Sequence, residues 1–211
     1  MTDAHHRLSL ANKITILRIL AVPLFVLALL YYTTDLQRGE PREMCRWTAL
    51  VIFLAAALTD ALDGYVARSR GEITRLGRVL DPLADKSLLL SGLILLTRPS
   101  LPQLEPHIPI WFTLLAISRD VLLLAGAALI HWFAGAVEVR PRLTGKAATV
   151  AQMVVVVWAL VGGAPREFLF CVGVAGAATF ASGILYLFDG VRQIERAAAA
   201  HHRQRHDVRP A

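Results

Sequence analysis

Residues 59–86 read TDALDGYVARSRGEITRLGRVLDPLADK, and this stretch separates two uncharged runs, 47–59 and 87–96. Crossing the hydrocarbon layer takes roughly 20 mostly apolar residues. Neither run reaches that length, so each completes a crossing only if its helix continues into the flanking acids. That places Asp60, Asp63, Asp81 and Asp85 in or just under one leaflet.

Working outward, apolar stretches recur at 14–32, 47–66, 79–96, 109–133, 147–161 and 168–188. Apolar residues make up 55% of the 211, with a mean hydropathy of +0.52. Soluble domains run nearer half and break the apolar content with polar faces. The chain therefore reads as an all-α integral membrane protein of about six transmembrane helices, with no room for a separate soluble catalytic domain. There is no internal repeat and no long linker, which predicts a single catalytic domain over 1–196. No small-residue cleavage site follows the first apolar run, so that run reads as an uncleaved anchor.

Basic residues cluster in 7–18, 68–86, 140–146 and 192–209, while Arg38, Arg42, Arg46, Arg98 and Arg166 occupy the opposite ends of the apolar stretches. By the positive-inside rule both termini are cytoplasmic, and the four acids lie on the cytoplasmic side of a cell (inner) membrane. The formal net charge of +6 then reports orientation and contact with anionic lipid; nucleic acid is not an expected partner. The end of the chain, AAAAHHRQRHDVRPA over 197–211, lacks apolar periodicity and reads as a solvated basic tail. Cys45 and Cys171 are too few and too far apart for a disulfide framework or a thiolate metal site.

On a helix Asp60, Asp63, Gly64, Ala67 and Arg68 share one stripe, being three, four, seven and eight residues apart. Gly77, Asp81 and Asp85 form a second stripe if the next helix begins near Gly77. Pro82 then either sits in the first turn, with Asp81 as the cap, or kinks the helix. Four carboxylates converging at low dielectric repel one another by several kcal/mol unless they are protonated, paired or bound to metal. With oxygen donors and no nearby His or Cys, the ions that suit are hard: Mg²⁺, Mn²⁺ or Ca²⁺. Two of them can grip a diphosphate and stabilise the oxygens entering and leaving phosphorus. A lone intramembrane acid is often just a salt bridge or a cap; four in this register argue otherwise. A glycine in a membrane helix usually serves packing, but Gly64 and Gly77 beside the acids leave room for a bulky nucleotide.

At these residues the sequence resembles the CDP-alcohol phosphatidyltransferase family. The signature is two Asp three apart, Gly, Ala-Arg, then after eight residues a Gly followed by two Asp at four-residue steps. All of its positions are filled, by Asp60, Asp63, Gly64, Ala67, Arg68, Gly77, Asp81 and Asp85. The resemblance implies a six-helix membrane fold and transfer of a phosphatidyl group from CDP-diacylglycerol to a glycerol-based acceptor, with release of CMP. It further implies that Asp60, Asp63, Asp81 and Asp85 hold two divalent cations, Mg²⁺ or Mn²⁺, with Asp85 also the general base. Gly64, Arg68 and Gly77 would contact the CDP moiety, and homodimers are common in the family.

Arg119 and Asp120 stand in mid-span, where an unpaired charge is expensive, so they are expected to face the protein interior. Arg119, Lys146 and Arg142 are the candidate ligands of an acceptor phosphate. The segments NKITILRILAVP, DPLADK and TGKAATVAQM resemble the branch of phosphatidylglycerophosphate synthases and CMP-forming cardiolipin synthases. Glycerol-phosphate-using members carry a second arginine two helical turns after the one matching Arg119, and here that position is Ala127. The expected acceptor is therefore phosphatidylglycerol, giving cardiolipin, with glycerol 3-phosphate as the alternative. A divalent-cation transporter is the competing class, but a conduction path spreads its polar groups across the membrane, whereas these acids cluster on one side. A non-catalytic lipid-binding relative fits poorly with a full set of four acids.

Overall fold

A computed structural model describes residues 10–40, 42–70, 77–98, 105–134, 143–162 and 164–207; side chains are described for 17, 19–40, 42–59, 86–98, 105–126, 128, 143–162 and 164–192. These residues form six helices, α1 (Leu10–Gln37), α2 (Glu43–Arg70), α3 (Gly77–Leu96), α4 (Ile110–Ala134), α5 (Leu143–Val161) and α6 (Pro165–Asp207), with no strand among them. Each apolar stretch read from the sequence lies on its own helix. Among the described residues three segments are long and apolar enough to cross a membrane, Ile19–Gln37, Leu143–Val161 and Pro165–Arg192, and Lys86–Leu96 is a shorter apolar segment.

α2 and α3 explain how the short uncharged runs are accommodated. α2 continues through Asp60 and Asp63 to Arg70, and α3 starts at Gly77 and runs through Asp81 and Asp85. At 1.5 Å of rise per residue they are about 42 and 30 Å long, enough for a crossing. Because α3 begins at Gly77, Asp81 is not its cap, and the helix carries Pro82 inside it.

Glycines end two of the helices where the backbone turns left-handed. Gly39, at φ +77°, closes α1 with its N–H on the Leu36 carbonyl, and Gly162, at φ +78°, closes α5 with its N–H on the Trp158 carbonyl. That region is open to glycine at no steric penalty. Between α1 and α2, Arg42 donates from Nε to Asp35 Oδ2 at 2.6 Å and from Nη2 to Oδ1 at 3.3 Å. The hydrogen bond to Asp35 raises the Arg42 pKa still further above its ordinary value.

The chain divides into two compact units: 1–109 with 154–168, and 110–153 with 169–211. In the first, α1 packs against α2 and α3, and α2 against α3. Its core is formed by Phe25, Leu29, Phe53, Leu89, Leu93, Val156 and Leu160, with the Phe25 and Phe53 rings 5.6 Å apart. Gly92 allows a close approach, since a Cβ there would lie 3.0 Å from Val156 Cγ1 and 3.4 Å from Phe25 Cζ. In the second unit Phe112, Ala116, Ala148, Val172 and Ala175 are buried, and Trp111 lies against Gly176. Every helix also turns large apolar side chains outward, among them Leu24, Val51, Ile94, Leu124, Val150 and Phe170. Outward-facing apolar residues on all six helices suit a hydrocarbon surround.

α6 runs on beyond the apolar stretch, which a solvated segment can also do. Helix persists past 196 to Asp207, taking in most of the segment read as a solvated tail. The four alanines at 197–200 have the highest helix propensity of any residue, and they continue a helix already nucleated upstream.

Candidate active site

The acids lie on two neighbouring helices joined by only six residues, 71–76. Short connections make antiparallel neighbours, so depth can be counted from this junction at 1.5 Å per residue. Asp63 and Asp60 are then about 10 and 15 Å up α2, and Asp81 and Asp85 about 6 and 12 Å up α3. The two pairs overlap in depth. On α2 the register puts Gly64 and Arg68 on the stripe of Asp60; on α3 it puts Gly77 on that of Asp81 and Asp85. The side chains of Asp60, Asp63, Gly64, Arg68, Gly77, Asp81 and Asp85 lie outside the described residues, as does all of Arg142. A donor set of carboxylate oxygens alone, at matching depth on adjacent helices, fits hard dications.

The second unit holds the other charged group. Arg119 is the tenth residue of α4 and is 5% exposed, with Asp120 at 9%. As expected for mid-span charges, they face inward, and they also pair, Arg119 Nη1 donating to Asp120 Oδ1 at 2.8 Å. Nη2 donates to Ser182 Oγ at 3.0 Å and to the Gly145 carbonyl at 3.4 Å. The guanidinium carbon lies 5.8 Å from the centre of the Tyr186 ring. Nε is buried without a hydrogen-bond partner. Lys146, in the second turn of α5, is exposed and directly follows Gly145.

Sequence reasoning missed the groups that meet Arg119 and the polar pair nearby. Gly145, Thr149 and Gln152 recur on α5, and Thr179, Ser182 and Tyr186 on α6, at spacings of three, four and seven. Those spacings mark one helical face, and this was the available signal. Gln152 is fully buried and donates from Nε2 to Thr179 Oγ1 at 3.1 Å, while Thr179 donates to the Ala175 carbonyl at 2.8 Å.

Residues 8–187 match the family described as CDP-alcohol phosphatidyltransferase. The chain belongs to that family. It is thus a membrane-embedded enzyme that transfers a phosphatidyl group. Its relatives fall in the phosphatidylglycerophosphate synthase branch. One from Pseudomonas fluorescens, named CDP-diacylglycerol–glycerol-3-phosphate 3-phosphatidyltransferase, is 33% identical over 201 residues, covering 92% of each chain. A Bacillus subtilis protein of the same name is 34% identical over 164 residues, 76% of this chain and 81% of the relative. The Escherichia coli protein of that name is 33% identical over 161 residues, covering 72% and 76%.

Proposed function

We propose that this phosphatidyltransferase moves the phosphatidyl group of CDP-diacylglycerol onto glycerol 3-phosphate and releases CMP. The observation that carries the choice of acceptor is the name shared by the Pseudomonas fluorescens, Bacillus subtilis and Escherichia coli relatives, the first of which aligns over 92% of both chains. It outweighs the preference for phosphatidylglycerol, which rested on one neutral residue, Ala127.

In this reading Asp60, Asp63, Asp81 and Asp85 hold two divalent cations, Mg²⁺ or Mn²⁺. When bound, the ions neutralise the diphosphate and the departing CMP. Asp85 takes the proton of the acceptor hydroxyl as its oxygen attacks the lipid-side phosphorus, so no covalent enzyme intermediate is needed. Gly64 and Gly77 let the nucleotide approach the helix backbone, and Arg68 pairs with its phosphates. Arg119, Lys146 and Arg142 bind the acceptor's phosphate. We further propose that 1–196 works as one catalytic domain, in keeping with a family match that runs unbroken across both compact units. Cytoplasmic termini and a cytoplasmic-side site in the inner membrane follow from the distribution of basic residues.

The test is direct. Purified enzyme is given CDP-diacylglycerol with glycerol 3-phosphate or with phosphatidylglycerol, and the lipid product is identified by chromatography. Phosphatidylglycerophosphate from the first mixture is the expected product. Cardiolipin from the second mixture, with nothing from the first, would overturn the choice of acceptor.

A further inference from the structure

Arginine in a transmembrane helix has four side-chain torsions and no fixed direction of its own, so a guanidinium that recognises an anion has to be held by something else. Here the holding groups come from two other helices of the same unit. Ser182 of α6 accepts from Nη2 at 3.0 Å, and the Gly145 carbonyl of α5 accepts from the same nitrogen at 3.4 Å. The Tyr186 ring lies 5.8 Å from the guanidinium carbon. Asp120 takes Nη1, and the remaining nitrogen, Nε, is buried and bare. A guanidinium tied through both terminal nitrogens to three helices is held in one orientation.

The residue at 145 is part of that arrangement. A Cβ on Gly145 would lie 3.0 Å from Arg119 Nη2 and 3.0 Å from Tyr186 Oη. A Cβ there needs the guanidinium and the phenol each to give by a few tenths of an ångström, so glycine leaves the space that both occupy.

We propose that Ser182 and Gly145 are positioning residues for acceptor recognition: they fix the Arg119 guanidinium in the orientation in which it meets the phosphate of the acceptor. The assignment rests on the reading of Arg119 as an acceptor-phosphate ligand, and the variants are chosen to separate the two. Ser182→Ala removes one hydrogen bond and leaves the charge in place. It raises KM for glycerol 3-phosphate about tenfold, as expected for losing roughly 1.4 kcal/mol of orientation, while KM for CDP-diacylglycerol and kcat stay within about twofold. Ser182→Thr keeps the hydroxyl and restores most of the acceptor KM. Gly145→Ala raises the acceptor KM through crowding, and the rise persists in Gly145→Ala/Tyr186→Phe, because removing the phenol oxygen leaves the contact with Nη2 untouched.

Arg119→Gln is measured beside them. If it leaves the acceptor KM unchanged, Arg119 is no phosphate ligand and the positioning assignment falls with it. If Arg119→Gln raises that KM and both Ser182→Ala and Gly145→Ala leave it unchanged, the ligand reading survives and positioning alone is overturned. Equal losses for both substrates, or a variant too unstable to purify while its partner variant spares the acceptor KM, make the contacts a structural tie and also overturn the proposal.

Discussion

Gln152 offers the sharpest test of how polar groups are balanced in the second unit. Its side chain is fully buried, Nε2 donates to Thr179 Oγ1, and Oε1 has no partner. Turning the amide over would not help, because the Thr179 hydrogen already goes to the Ala175 carbonyl and one amide end stays bare either way. Gln152→Leu loses a hydrogen bond worth on average about 0.6 kcal/mol between membrane helices. It also removes a buried bare acceptor that costs about 1–3 kcal/mol. Thr179 keeps its bond to Ala175 and is not orphaned. The second effect wins, so the variant is more stable by about 1 kcal/mol. Thr179→Val has the opposite sign, since it strips the amide of its acceptor and leaves both ends unpaired, at about 1–3 kcal/mol. In the double variant no amide remains to be orphaned, and stability returns to the wild-type level or above. The assay is denaturant unfolding of the purified protein in mixed micelles, followed by tryptophan fluorescence and analysed as a double-mutant cycle. Gln152→Leu less stable than wild type by 1 kcal/mol or more, with no coupling to Thr179→Val, would refute the reasoning, because Oε1 would then have a partner in the working protein.

Three further outcomes are expected. Chelation of divalent cations abolishes CMP release, and added Mg²⁺ or Mn²⁺ restores it; full activity in excess chelator would remove the metal role of the four acids. Asp85→Asn lowers turnover by about 10²–10⁴-fold, the usual contribution of a general base, while binding of CDP-diacylglycerol measured by equilibrium titration largely survives; an unaffected rate would exclude Asp85 as the base. Gly92→Val forces two methyl groups into the contact with Val156 and Phe25 and destabilises the first unit by about 1–3 kcal/mol; unchanged unfolding would mean that this close approach opens readily.

Much of the architecture was legible because a bilayer permits few solutions. Six apolar stretches became six helices, and the uncharged runs too short to span forced helix through Asp60, Asp63, Asp81 and Asp85. Helix ends were less legible. The first stretch reads as 14–32, but α1 runs Leu10–Gln37, because apolar content marks the hydrocarbon layer while the hydrogen-bond ladder continues into the interface. The alanines at 197–200 extend α6 by propensity where an apolar pattern had run out. Arg119 and Asp120 were legible as facing inward, since no other direction is affordable in lipid, while their pairing with each other was not. Ser182, Gln152 and Gly145 were not, because a lone small or neutral polar residue in an apolar run signals nothing until the rotation of three helices brings it opposite a partner.

On the proposed assignment of Arg119, Lys146 and Arg142 to the acceptor's phosphate, charge matching bears on the choice of acceptor. The phosphate monoester of glycerol 3-phosphate carries more negative charge than the phosphodiester of phosphatidylglycerol, and Arg119 alone supplies little net charge because Asp120 sits on Nη1. An arginine at 127 would stand eight residues from Arg119, about 12 Å along α4. Lys146 stands closer in a structural sense: it adjoins Gly145, whose carbonyl accepts from Arg119 Nη2 at 3.4 Å, and its side chain is exposed. In the proposed reading, an ammonium on four flexible bonds, rooted about 3.8 Å from the Gly145 Cα, is the second cation for the acceptor's phosphate. A cation supplied from α5 in this way makes a neutral residue at 127 compatible with a phosphate monoester. The absence of the second arginine therefore speaks to which helix carries the charge, and by itself does not distinguish the two acceptors.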